Sequence, residues 1–159
     1  MPKNDKIITR EQVSQIVSRL KREGRKVAFT NGCFDLLHIG HLELLEHARK
    51  LGDILIVGLN SDDSVRRLKG PQRPINTQLD RARILAALEV VDYVVIFNED
   101  TPLELIQTIK PDFLIKGGDY RPDAIVGSEF VESYGGKVIV FPLVRGKSTS
   151  DLINTIFQL

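Results

Sequence analysis

Residues Thr30 to His41, TNGCFDLLHIGH, decide the fold. An apolar run, Lys26 to Thr30 (KVAFT), leads into them, and Leu44, Leu45, Ala48 and Leu51 follow at helical spacing until Gly52. The spacing predicts a buried strand, a glycine-bearing loop, and a helix that begins near His41. At such a junction the free N–H groups and the positive end of the helix dipole favour an anion. Gly32 lets a phosphate approach the backbone closely, and His38 and His41, spaced i, i+3, add donors on one side of the first turn. Nucleotide contacts are therefore expected from Thr30, Asn31, Gly32, Cys33, Phe34, His38, Gly40 and His41. The alternative is a pair of histidines capping a helix in a plain α/β protein.

The 159 residues fit one domain: a flexible tail over 1–8, an N-terminal helix over 9–24 and a core over 26–157. With 22 basic and 21 acidic residues the net charge is +1, which argues against a general nucleic-acid binder. Any anion must be held locally. Cys33, the single cysteine, excludes an internal disulfide and fits a reducing, cytoplasmic setting. A small apolar filler is the expected role for it. The N-terminal MPKNDKIITR has no apolar signal core, and no run approaches the ~20 apolar residues of a membrane span.

Thr9 with Gln12 forms a capping box, and Val13, Ile16, Val17 and Leu20 give the first helix its apolar stripe. Asp53 to Leu59, Tyr93 to Phe97, Phe113 to Ile115 and Lys137 to Leu143 are near-continuous apolar runs of the kind buried on both faces. Helical patterns lie between and after them, over Ser61–Leu68, Thr77–Leu88, Thr101–Lys110, Pro122–Tyr134 and Thr149–Phe157, with Thr101, Pro102 and Glu104 reading as a capped start. The alternation predicts a Rossmann-like, doubly wound, five-stranded parallel sheet with helices on both faces and ligands beyond the carboxyl ends of the strands.

The polar loops fall at those ends. Asn60 and Asp62, with Arg66, Arg67, Lys69 and Arg73, bring cations beside the proposed site; Lys69 and Arg73 lie in the proline-rich stretch Lys69 to Asn76, which reads as a substrate loop or lid. Arg66 and Arg67 read equally well as a solvated helix face, Arg83 as a surface residue and His47 as a packing residue. Lys116-Gly117-Gly118-Asp119 follows the fourth strand; its glycines permit close approach, and Asp119 suits ribose hydroxyls or a turn cap. In Arg145-Gly146-Lys147-Ser148-Thr149-Ser150, hydroxyls and free N–H groups at a helix start suit phosphate oxygens, though an ordinary N-cap is compatible. Asp35 reads as an organiser of the phosphate loop. No second carboxylate in its motif suggests a protein-built metal cage, so no metal ligand is expected, and magnesium would ride on the nucleotide phosphates.

G-x-F-D-x-x-H-x-G-H resembles the nucleotidyltransferase superfamily that shares a HIGH-type motif with class I aminoacyl-tRNA synthetases, and the Arg145–Ser150 loop resembles its second signature. By the spacing R-x-x-I-L, Arg81 matches an arginine that binds the acceptor phosphate in cytidylyltransferase-like relatives. The resemblance implies catalytic roles for His38, His41, Lys69 and Arg81, and acceptor contacts from Asn60, Asp62, Lys69, Arg73, Arg81 and Lys116. No strong general base is needed, because the attacking oxygen is already anionic, and phosphate beside the histidines should favour imidazolium.

From about Lys26 to Ile156 the chain closely resembles the D-glycero-β-D-manno-heptose 1-phosphate adenylyltransferase family, with Thr149-Ser150 where relatives carry two threonines. The resemblance implies ATP and heptose 1-phosphate as substrates, ADP-heptose and pyrophosphate as products, and use in lipopolysaccharide core or another heptose glycan. It implies a homo-oligomer, dimer or higher, to which the opening helix contributes, and a form separate from the kinase, acting after a heptose kinase and a phosphatase. A cytidylyltransferase acting on glycerol 3-phosphate, a non-catalytic nucleotide-binding regulatory module and an RNA-binding role are the competing readings.

Overall fold

The computed structural model describes residues 3–142 and 147–159. Its strands are β1 (Ile7–Ile8), β2 (Val27–Gly32), β3 (Ile54–Asn60), β4 (Tyr93–Phe97), β5 (Phe113–Gly117) and β6 (Lys137–Phe141). They form one sheet in the order β1-β4-β3-β2-β5-β6, with every neighbouring pair parallel. Helices α1 (Arg10–Arg22), α2 (Ile39–Leu51), α3 (Asp62–Lys69), α4 (Gln78–Ala87), α5 (Leu103–Ile109), α6 (Ser128–Ser133) and α7 (Thr149–Phe157) complete the chain, with 3-10 turns at Lys3–Lys6 and Pro122–Ala124.

The apolar strands are covered on both faces, as parallel strands require. Alternation along β3 divides the core: Ile54 and Ile56 join Val13, Val17 and Leu20 of α1 and Leu105, Ile106 and Ile109 of α5 on one side. Leu55, Val57 and Leu59 join Leu44, Leu45 and Ala48 of α2 and Ala82, Leu85 and Ala86 of α4 on the other. The apolar stripe of α1 is thus occupied within its own chain, and its polar face is exposed. At the opposite edge from the loops, three aspartates set the register. Asp53 accepts from Lys26 N at 2.7 Å, Asp92 from Leu55 N at 2.8 Å and Asp112 from Val27 N at 2.8 Å, each pairing a strand's first N–H groups to the residue preceding its neighbour.

Three sequence expectations are corrected. The sheet has six strands, because Ile7 and Ile8 pair with Val94 and Val95 and Lys6 Nζ donates to the carbonyls of Leu88 and Val91; these residues are not a flexible tail. Two paired residues are too short to leave a periodic signal. The capping box at Thr101 does not form: α5 starts after Pro102 without a side-chain cap, and Glu104 pairs with Arg10 at 3.2 Å. The helix expected over Pro122–Tyr134 is split, because Gly127 adopts φ +87° before α6 and its missing Cβ leaves room for Ile106 Cδ1. Of the last expected strand, Leu143 lies outside the described residues.

Candidate active site

A cleft of about 630 Å³ opens at the carboxyl ends of β2, β3, β5 and β6. From the phosphate loop it is lined by Asn31, Gly32, Cys33, Phe34, His38, Gly40 and His41; from the β3 side by Asn60, Lys69 and Arg73; and from the β5–β6 side by Lys116, Lys147, Ser148, Thr149 and Ser150. The sheet order brings these together, since β2 lies between β3 and β5. Thr30, Asp62, Arg81, Gly118 and Asp119 do not line it. Thr30 is fully buried beneath the loop, and Asp119 is exposed outside the cleft. Arg145 and Gly146 lie outside the described residues.

The histidines form a reciprocal cap on α2. His38 Nδ1 accepts the Gly40 N–H at 3.1 Å, and His41 Nδ1 accepts the His38 N–H at 3.4 Å, with the rings stacked at a centroid separation of 3.8 Å. A nitrogen that accepts a backbone N–H carries no proton, so each neutral imidazole has its hydrogen on Nε2. Burial lowers the pKa of both. His41 is pulled down to about 4, with the neighbouring His38 adding to the effect; His38 shifts the same way, opposed by Asp151. The imidazolium expected from the sequence is therefore not the form of the nucleotide-free site. The cap the side chains make and the proton they would gain compete for the same Nδ1 lone pairs.

Phe34 holds φ +46°, unusual for a bulky residue, and its ring lies 5.0 Å from that of His41. A Cβ on Gly32 would stand 3.0 Å from Phe34 Cε2, so that glycine makes room for the ring.

Asp35 and Arg81 hold the loops. Asp35, 5% exposed, accepts from Ile75 N at 2.9 Å and Asn76 N at 2.9 Å and faces Arg73 Nε at 3.8 Å, pinning the stretch Lys69 to Asn76 against the phosphate loop. Arg81, 1% exposed, donates to the carbonyls of Cys33 at 2.7 Å, Asn60 at 2.8 Å and Asn76 at 3.0 Å, and to Asp62 at 2.9 Å. The acceptor-phosphate and catalytic roles expected of Arg81 are corrected accordingly, since its guanidinium is spent on three loops and a carboxylate. Asp62 is likewise engaged by Arg81 rather than by the cleft. Neither role was legible in the sequence, because the carbonyls that Arg81 meets are brought to it by the fold.

The remaining cations divide. Arg66 pairs with Asp63 and Arg67 with Asp100, and neither residue lines the cleft; Arg83 is exposed, and His47 packs its ring 5.0 Å from that of Phe141. Lys69, Arg73 and Lys116 face the cleft. Arg73 Nη1 is buried with no partner among the described residues. Burial lowers the Lys116 pKa, with Cys33 opposing the shift and Lys69 adding to it. Across the cleft Ser148 Oγ caps α7 by accepting from Asp151 N at 3.0 Å, and Thr149 Oγ1 donates to Leu36 O at 3.1 Å, which brings this helix N-terminus to the phosphate loop. Among the described residues no group of three His, Cys, Asp or Glu side chains is placed to hold a metal.

A parallel sheet whose central strand turns through a paired-histidine loop into a helix, with a second helix N-terminus facing that loop, defines a nucleotidyltransferase. Residues 29–153 match the cytidylyltransferase-like family, and the chain belongs to it. It is 56% identical over 155 residues to the bifunctional protein HldE of Syntrophotalea carbinolica and 55% identical over 155 residues to that of Trichlorobacter lovleyi, in each case over 98% of this chain and 32% of the relative. The chain thus spans about a third of the length of these curated relatives. Among solved structures, a lipopolysaccharide core biosynthesis protein from Thermoplasma volcanium superposes with TM-score 0.60 at 28% identity, over 76% of this chain and 98% of that one. Pantoate-beta-alanine ligase from Francisella tularensis superposes with TM-score 0.61 at 18% identity, over 96% of this chain and 78% of that one, a likeness of fold. No helix among the described residues is long and apolar enough to cross a membrane.

Proposed function

We propose that the chain transfers the adenylyl group of ATP to D-glycero-β-D-manno-heptose 1-phosphate, giving ADP-heptose and pyrophosphate for lipopolysaccharide core or another heptose glycan. The observation that carries the reading is the placement of His38 and His41 between two anion-directed ends of one cleft. The start of α7 and Lys116 lie on the β5–β6 side, and Lys69 and Arg73 lie on the β3 side. The likeness to HldE proteins, over 98% of this chain and 32% of theirs, and the motif resemblance support adenylyl and heptose in particular.

In this reading an oxygen of the sugar phosphate, already anionic and held by Lys69, Arg73 and Lys116, attacks the α-phosphorus. The bond from that phosphorus to the bridging oxygen breaks, and pyrophosphate leaves with the electron pair toward Lys147 and the N-terminus of α7. His38 and His41, neutral, donate from Nε2 to the charge that develops between them. Asn31 to Phe34, Gly40 and Ser148 to Ser150 shape the nucleotide side, and Asn60 the acceptor side. Among the described residues the side chains form no metal cage; magnesium would arrive on the nucleotide phosphates and neutralise their charge. The chain would act as a single cytoplasmic domain in a homo-oligomer, after a heptose kinase and a phosphatase, with no nucleic-acid or membrane partner.

The test is pyrophosphate release with magnesium, crossing ATP, CTP, GTP and UTP against D-glycero-β-D-manno-heptose 1-phosphate and glycerol 3-phosphate. Release with ATP and the heptose phosphate alone is expected. Release with CTP and glycerol 3-phosphate, or ATP binding with no release on any acceptor, would overturn the reading.

A further inference from the structure

We propose that Tyr120 is the platform on which the nucleobase stacks, and so a nucleotide-binding residue of the transfer; the inference rests on the transferase reading above. Tyr120 follows β5, lines the cleft and is 50% exposed, although it is a large aromatic side chain in a chain with few of them. Its position is built. Gly118 adopts φ +133°, and a Cβ there would stand 2.7 Å from Tyr120 Cε2, so the ring lies against bare backbone that only glycine provides. That backbone is itself fixed, because Gly118 N donates to Phe141 O at 3.0 Å, and Lys116 Nζ lies 5.7 Å from the ring centroid.

The sheet order says what the ring faces. In-line attack puts the acceptor oxygen and the leaving pyrophosphate on opposite sides of the α-phosphorus, so Lys69 and Arg73 on the β3 side and the start of α7 occupy those two directions. The nucleoside takes the third, over the end of β5, where Gly117, Tyr120, Phe141 and Pro142 supply the apolar wall. An aromatic face there binds a base through dispersion and desolvation, and it does so without hydrogen bonds that a loop would have to align.

The test is titration calorimetry with ATP and with inorganic tripolyphosphate on the wild type, Tyr120→Ala and Tyr120→Phe. Loss of the ring is expected to weaken ATP binding about tenfold or more while leaving tripolyphosphate unchanged, and Tyr120→Phe should bind ATP as the wild type does. The chain contains no tryptophan, so Tyr120→Trp introduces a sole indole whose fluorescence ATP should quench saturably and tripolyphosphate should not. Equal ATP affinity in wild type and Tyr120→Ala, equal weakening of both ligands, or a raised KM for the sugar phosphate alone would overturn the platform and leave the transferase reading standing. A wild type that binds neither ligand would overturn the transferase reading itself.

Discussion

His38 and His41 each use Nδ1 to hold the other's stretch of backbone, with their rings 3.8 Å apart, so the two side chains that line the cleft are also the cap of the helix that carries them. Their chemistry and the start of α2 are therefore one arrangement, and acid disturbs both at once.

Stability should fall as pH drops. The unfolded chain protonates His41 near 6.5, whereas the folded chain refuses that proton until about 4, so the unfolded state binds more protons across this window. The contribution is absent above about 6.5, grows through the window and is complete below about 4. Thermal unfolding from pH 8 to pH 4 should show a declining Tm over that interval, and His41→Asn should flatten the decline.

Removing a donor should act on turnover. His41→Ala is expected to lower kcat by about 10² to 10³ while the protein remains folded, since the lost group stabilises charge that exists only in the transition state. Gly40→Ala should also lower kcat without touching either imidazole chemically. Its Cβ would stand 2.9 Å from His38 Cε1 and must push that ring aside. Near wild-type kcat in both variants would remove the histidines from the mechanism.

Arg81 and Lys69 should separate stability from activity. Arg81→Met leaves the carbonyls of Cys33, Asn60 and Asn76 and the carboxylate of Asp62 without their donor, and a loss of about 3 to 5 kcal/mol in denaturant unfolding is expected. Lys69→Ala, at an exposed position on the rim of the cleft, should change stability by no more than about 0.5 kcal/mol and raise the KM for the sugar phosphate.

Asp35→Asn should free the loop that Asp35 holds. The charge-assisted bonds from the Ile75 and Asn76 N–H groups weaken, and hydrogen exchange at those two amides should accelerate while the amides of β3 keep their protection.

Much of this was legible in the sequence. Long apolar runs such as Tyr93 to Phe97 and the stripe of Val13, Val17 and Leu20 announced their elements, because burial on both faces or on one leaves a period. The phosphate loop, the two cationic loops and the start of α7 were legible as residue types at strand ends. What escaped was set by partners distant in sequence. Arg81 read as a phosphate ligand until the fold surrounded it with carbonyls, the imidazole tautomers are set by backbone N–H groups, and the register bonds of Asp53, Asp92 and Asp112 join residues 27, 37 and 85 positions apart.

α7 has no buried residue, and Leu152, Ile156 and Phe157 stand 38%, 60% and 84% exposed, yet this helix presents Ser148 to Ser150 to the cleft. One wall of the cleft is therefore carried by an element with little holding it to its own chain. Heat or a protease can detach such an element while the sheet survives, so inactivation would precede unfolding, and whatever covers that apolar face would govern how long the enzyme lasts.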